Sequence, residues 1–267
     1  MTNSRHYTLF CSGGLAARCE GFARGKGRGM SATFPSLSAL TEDEVERIEK
    51  LTMRWLFQAV VDFGTDPFTI FQRSPDDPKD VAQDVTREVL DRLAGYNIPQ
   101  RVFGTVDYKR ARYIILPHQI VRQALFVDSK AEKEDRSATL QMSQISMTVL
   151  QRREGAAKSE QGKLPIISRF NGDEFLTTTM FPHYHYEDSH PNYMLHSVTL
   201  CAVPNGRLQA RYNPTPDDSI WLVGRNAPTR GEDFRVRLGF KRLESKARWR
   251  VQRVYYDPGR VRTAWQE

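Results

Sequence analysis

The chain has 267 residues, a formal net charge of +7 and a mean hydropathy of −0.57. Its 39% apolar content supports a sizeable core in one large domain or two small ones, but no run approaches the ~20 apolar residues of a membrane helix. Cys11, Cys19 and Cys201 are too few and too scattered for a disulfide framework or a zinc site, which fits a reducing cytoplasm.

The charge is unevenly placed. Residues 206–267 hold 14 Lys and Arg against 7 Asp and Glu, so the last quarter accounts for the whole positive excess. A basic segment of this kind points to a polyanionic partner.

Residues 1–33 are rich in Gly, Ser and Arg and lack the apolar periodicity needed to pack. Their glycines do not make a phosphate cradle, because no apolar strand precedes them and no Lys-Ser/Thr pair follows. This stretch is expected to be a disordered extension, or the product of a start site wrongly placed upstream of Met30. Residues 34–267 are expected to form one domain, with helices and a catalytic hairpin in 34–153 and a basic, strand-rich part in 164–267.

The first helix is announced by a capping box, Thr41 with Glu44, and by a staple of Leu40 with Val45. Val45, Ile48, Leu51, Trp55, Ala59 and Phe63 form its expected core-facing stripe, closed by Gly64. A second helix starts at Asp77-Pro78, with proline at the first helical position. Its stripe is Val81, Val85, Val89 and Leu93, closed by Gly95.

The stretch Arg101–Lys133 reads as two apolar segments hinged at Pro117-His118, each with an Asp-x-Lys triplet. These are Asp107-Tyr108-Lys109 and Asp128-Ser129-Lys130. Strand residues two apart share a face, so each aspartate lies beside its lysine. A tight hairpin at Pro117-His118 sets Asp107 opposite Asp128, with Cβ atoms roughly 5 Å apart. Two like charges that close are held together by a cation, and an all-oxygen set suits Mg²⁺. The alternative is an exposed Asp–Lys ion pair worth a fraction of a kcal/mol. Placement favours chemistry, since Asp128 ends the apolar run Ala124–Val127.

A helix is expected over Ser137–Gln151, with Leu140, Ile145 and Val149 inward and Ser143-Gln144 near the active centre. Strands follow at Pro165–Phe170, Phe175–Tyr186 and Tyr193–Val203. His183 and His185 share a strand face, but no third ligand stands at a convincing spacing, so a half-exposed strand is preferred to a zinc site. Ile220–Val223 is a short strand. Phe234–Leu238 alternates strictly and puts Arg235 and Arg237 on one face, where paired guanidinium forks suit guanine O6 and N7 in the major groove. Arg225 and Arg230 stand in the loop before it. Solvated arginines that touch phosphate alone remain the alternative. Arg248–Tyr256 alternates basic and apolar residues, as a phosphate-tracking strand or a charge-defended edge strand does.

Together these segments resemble the SfiI-type type II restriction endonucleases, with BglI a more distant relative. The resemblance rests on Arg101-Val102-Phe103-Gly104, Val106-Asp107-Tyr108-Lys109-Arg110 and Val127-Asp128-Ser129-Lys130-Ala131. It continues through Arg211-Tyr212-Asn213-Pro214, Pro228–Glu232 and Arg235-Val236-Arg237. It runs from about Met30 to Tyr256 and keeps the order of the segments. It implies an α/β (α+β) fold with the PD-(D/E)xK core, a mixed central sheet flanked by helices. It further implies that Asp107 and Asp128, with Ser129, hold Mg²⁺, and that Lys130 orients or activates the attacking water. Val106 stands where the motif name has proline. Arg225, Arg235 and Arg237 match base-reading positions of the family. The implied substrate is double-stranded DNA at an interrupted palindrome with G/C-rich, GGCC-type half-sites, cut to leave 3′ overhangs. The implied setting is a bacterial cytoplasm, a homotetramer rather than a dimer, and a cognate DNA methyltransferase in the same system. A repair or structure-specific nuclease, and a non-catalytic DNA-binding regulator, are the competing readings.

Overall fold

The computed structural model describes residues 36–94, 101–102, 112–117, 121–133, 139–153, 155–170, 172–189, 192–222 and 236–267. All of them lie in one compact unit, residues 34–267. The N-terminal extension, Asp107, Arg225, Arg230 and Arg235 lie outside the described residues.

Three helices come first: α1 (Glu42–Asp62), α2 (Asp66–Arg73) and α3 (Pro78–Ala94). The capping box at α1 forms in both directions, with the Glu44 N–H donating to Thr41 Oγ1 and the Thr41 N–H donating to Glu44 Oε2. Gly64 closes the helix at φ 60°, a conformation in which a side chain is strained. The expected α1 stripe needs correcting at its centre. Trp55 is 39% exposed and Leu51 half-buried, whereas Thr52 and Leu56 are fully buried. One residue turns a helix by about 100°, and the line from Ile48 to Ala59 runs through 52 and 56 rather than 51 and 55. Helix α2 was not foreseen; Pro67 in its first turn is its one clear start signal.

The strands are β1 (Arg101–Val102), β2 (Arg112–Pro117), β3 (Arg122–Val127), β4 (Lys130–Lys133), β5 (Thr139–Met142), β6 (Thr148–Arg153) and β7 (Ala156–Gln161). They continue as β8 (Ile167–Phe170), β9 (Asp173–Ser189), β10 (Asn192–Val203), β11 (Val236–Gly239), β12 (Val251–Asp257) and β13 (Arg260–Thr263). Helices α4 (Gln209–Tyr212) and α5 (Phe240–Lys246) are short. The helix expected over Ser137–Gln151 is instead β5, a turn and β6. Leu140 and Met142 are buried while Gln141 between them is half-buried, an alternation of period two that overrides the wider apolar spacing. Among the described residues of the strand expected over Ile220–Val223, Trp221 makes an isolated bridge to Leu238.

The main sheet runs β1-β2-β3-β9-β10-β12-β13, with β4 and β8 also pairing β9. It is mixed: β3 and β4 run parallel to β9, and the other pairs are antiparallel. Successive residues of its strands enter two separate cores. Leu125, Val127, Met180, Tyr184 and Leu200 pack with α1, α2 and α3. Phe126, Phe181, Cys201 and Val203 pack with β5, β11 and α5. Strand β12 is interior to the sheet, so it is not a defended edge. Arg250, just before it, is fully buried and bonded to Glu49 at 2.7 Å, so it does not track phosphates.

Candidate active site

Strands β3 and β4 are nearly one strand, interrupted at Asp128-Ser129. Val127 is the partner of Met180 and Lys130 the partner of His183 on the same long strand, β9. The Asp128 N–H still donates to the Met180 carbonyl at 3.3 Å, which keeps the break short. Leu125 and Val127 face the helices, so Asp128 and Lys130 emerge on the opposite face of the sheet. The hydrophobic alternation of β3 thus aims the carboxylate.

Asp128 is 8% exposed, and Lys130 Nζ is ion-paired with its Oδ2. Burial at a sheet break, with one lysine attached, separates this pair from a solvated surface pair. Glu132 follows on the same face and approaches His183 Nε2 at 3.6 Å. His183 is fully buried, and neither of its ring nitrogens has a hydrogen-bond partner among the described residues. Burial pushes its pKa well below the ordinary imidazole value, reinforced by His185 and Lys130. His185, also buried, is lowered to about 4, chiefly by burial, and shares a 2.9 Å hydrogen bond with Thr199 Oγ1. Both histidines are therefore neutral core groups at pH 7. The expected half-exposed strand is wrong in its exposure, because β9 lies inside the sheet. Among the described residues no cluster of His, Cys, Asp and Glu suits a metal ion by itself.

The hairpin register differs from expectation. Arg112 pairs with Val127 and Pro117 with Arg122, so paired numbers sum to 239 rather than 235. The connection between the paired residues is four residues, 118–121, in place of a tight turn at Pro117-His118. Ser143 and Gln144 are buried in the turn after β5, where the Ser143 carbonyl accepts from Lys163 N–H at 3.3 Å. The helix that was to carry them to the active centre does not form. Glu132 and His183 were not foreseen as neighbours of the lysine. Only the parallel pairing of β4 with β9 joins them, and a sequence does not display parallel register.

Arg237 stands exposed on β11, which pairs with β5. The residue that follows this ribbon and opens α5, Phe240, packs against His183 with ring centroids 5.9 Å apart. The ribbon and the Asp128–Lys130 pair therefore occupy the same side of the main sheet.

Mg²⁺ takes few protein carboxylates and keeps water and phosphate as its other ligands, so a single carboxylate among the described residues is compatible with such an ion, which would displace the Lys130 ammonium from the oxygen it now pairs with. Asp128, with the Ser129 backbone beside it, is the carboxylate the described residues offer at this point of the sheet.

The chain is similar to known proteins in sequence and in fold. Residues 61–254 match the family model described as type II restriction enzyme SfiI. The type II restriction enzyme SfiI of Streptomyces fimbriatus is 34% identical over 233 residues, covering 82% of this chain and 87% of that protein. Among solved structures, tetrameric SfiI bound to cognate DNA matches with a TM-score of 0.71 at 30% identity, over 86% of this chain and 92% of that one. BglI bound to its DNA recognition sequence matches with a TM-score of 0.64 at 15% identity, over 80% and 92% of the two chains. The BglI likeness concerns the fold.

Proposed function

Since the chain belongs to the SfiI family of type II restriction enzymes, and is thereby a deoxyribonuclease, we propose that it hydrolyses double-stranded DNA with Mg²⁺, using Asp107, Asp128 and Lys130. The observation that carries this reading is the placement of Asp128 and Lys130 on one face at the only break between β3 and β4 among the described residues. Asp107 and Asp128, with Ser129 beside them, would hold the metal. When bound, Mg²⁺ withdraws charge from the phosphoryl oxygen and lowers the pKa of an attacking water.

The side chains do the rest. Asp128, fixed at its backbone by Met180, presents its carboxylate in a set position. Lys130 places an ammonium where negative charge develops on the phosphate, and in a site shielded from water such a charge counts for more. The neutral His183 behind it adds no competing charge. Arg225, Arg230, Arg235 and Arg237 read or grip the duplex, with Arg237 exposed on its ribbon to do so.

The site is an interrupted G/C-rich palindrome with GGCC-type half-sites, cut to 3′ overhangs by a homotetramer. A cognate methyltransferase protects the same sequence in a bacterial cytoplasm. The family match, and the tetrameric, DNA-bound state of the similar SfiI structure, support this finer reading. Incubation with a large plasmid, with Mg²⁺ and with EDTA, tests it. Discrete Mg²⁺-dependent bands are expected, and run-off sequencing of the ends gives the site and overhang. A smear or nicking would point to a repair nuclease, and an uncut plasmid to a binding regulator.

A further inference from the structure

The ribbon of β5 and β11 has two faces of different chemistry. Leu140 and Met142 of β5, and Val236 and Leu238 of β11, are all buried in one core. Gln141 and Arg237 turn the other way and are register partners. Directly opposed residues of an antiparallel pair have Cβ atoms roughly 5 Å apart. Carboxamide and guanidinium thus leave the ribbon side by side.

Their surroundings set them apart. Arg152, Arg169, Arg211, Arg253 and Arg262 are each ion-paired with a carboxylate. Among the described residues, neither Arg237 nor Gln141 has a side-chain hydrogen-bond or ion-pair partner. A guanidinium and a carboxamide set side by side, with no protein partner among the described residues, offer a ligand matching donors and an acceptor. A two-stranded ribbon fits the major groove, where arginine takes guanine O6 and N7 and glutamine offers one donor and one acceptor to a base edge. Successive base pairs rise by about 3.4 Å, so side chains roughly 5 Å apart at Cβ reach neighbouring pairs.

We infer that Gln141 is a specificity-determining residue, reading the base pair next to the one read by Arg237. The inference rests on the DNA-cleaving reading for its substrate, but its test is a binding measurement that does not need cleavage.

The wild-type protein, Gln141→Ala, Gln141→Glu and Arg237→Ala are each incubated with a randomised duplex library in Ca²⁺, and the bound DNA is sequenced. Cleavage in Mg²⁺ is scored separately, so a protein that selects a site without cutting it sinks the nuclease reading and leaves this one standing. Gln141→Ala is expected to lose roughly ten- to a hundred-fold of the preference at one base pair per half-site. Arg237→Ala is expected to lose the adjacent one. Gln141→Glu, which only accepts, is expected to turn the preference at its position towards cytosine, whose N4 donates. The inference is overturned if Gln141→Ala keeps the wild-type preference at every position, or weakens binding equally for all sequences. It is also overturned if the folded wild-type protein selects no sequence. Circular dichroism of each variant establishes that it is folded.

Discussion

Lys130 and His183 are register partners on adjacent parallel strands, so the ammonium on one is backed by a fully buried neutral imidazole on the other. Neutrality is a condition of the fold. The folded chain resists protonating His185 down to about pH 4 and holds His183 well below its ordinary value, whereas the unfolded chain protonates both near 6.5. Between those values the unfolded state binds more protons, so stability is complete above pH 6.5 and falls as the pH drops towards 4. The slope is roughly 1.4 kcal/mol per pH unit for each histidine. Urea midpoints at pH 7.5 and 5.0 measure it, and a His183→Asn/His185→Asn double variant should show a flatter dependence.

Removing the charged pair separates cutting from binding. Asp128→Ala or Lys130→Ala is expected to lower cleavage by at least about a hundred- to a thousand-fold, with site-specific binding in Ca²⁺ retained. Single-turnover cleavage and gel-shift titration on the same duplex check both halves. Cleavage by either variant at the wild-type rate would remove that residue from the mechanism.

A second buried ion pair is structural. Arg250 donates to Glu49 Oε2 at 2.7 Å, and the Asn205 N–H donates to Glu49 Oε1 at 2.8 Å. Burial raises the Glu49 carboxyl, and the guanidinium and the amide hold it back. Arg250→Met strands a buried carboxylate and is expected to cost about 3–5 kcal/mol. Glu49→Gln in the same chain should recover part of that loss. Chemical denaturation of the two single variants and the double variant gives the coupling energy.

Two glycines are fixed by closeness rather than by backbone angle. A Cβ at Gly206 would stand 2.3 Å from the Ser146 carbonyl oxygen, and one at Gly162 would stand 2.1 Å from that of Ile145. Alanine at either position forces main chain apart and is expected to destabilise by about 1–3 kcal/mol, as overpacking does. Thermal unfolding of each variant measures the loss. Gly64→Ala meets no atom within 4 Å but must hold φ at 60°, so its penalty, about 1 kcal/mol, is of a different kind.

What was legible in the sequence divides by the range of the interaction responsible. Thr41 and Glu44 are three residues apart, and Pro78 acts on its own turn, so both helix starts could be read from neighbours in the chain. Strands β8, β9 and β10 were visible as apolar runs, and Asp128 with Lys130 as a triplet at the end of one. Pairing between distant segments was not legible. The register of β2 on β3, the placement of His183 beside Lys130 and the burial of Arg250 against Glu49 all depend on contacts 5 to 201 residues apart. The stretch 139–153 failed for a different reason. Leu140, Ile145 and Val149 satisfy a loose helical spacing, and the competing alternation is only four residues long in β5.

Strand β9 receives β8, β3 and β4 in turn along its length. Side chains on a strand change sides at every residue, so a slip of β3 by one position would carry Asp128 to the helix-packed core and bring a leucine or valine out in its place. The register is held by Leu125, Val127, Met180 and Tyr184, each of which must find its own pocket among the helices. For this enzyme, then, ordinary packing residues on the helix side of the sheet, turned away from Asp128 and Lys130, are part of its aim. A substitution at Met180 that preserves stability but shifts the ladder would act as an active-site mutation without touching a single catalytic atom.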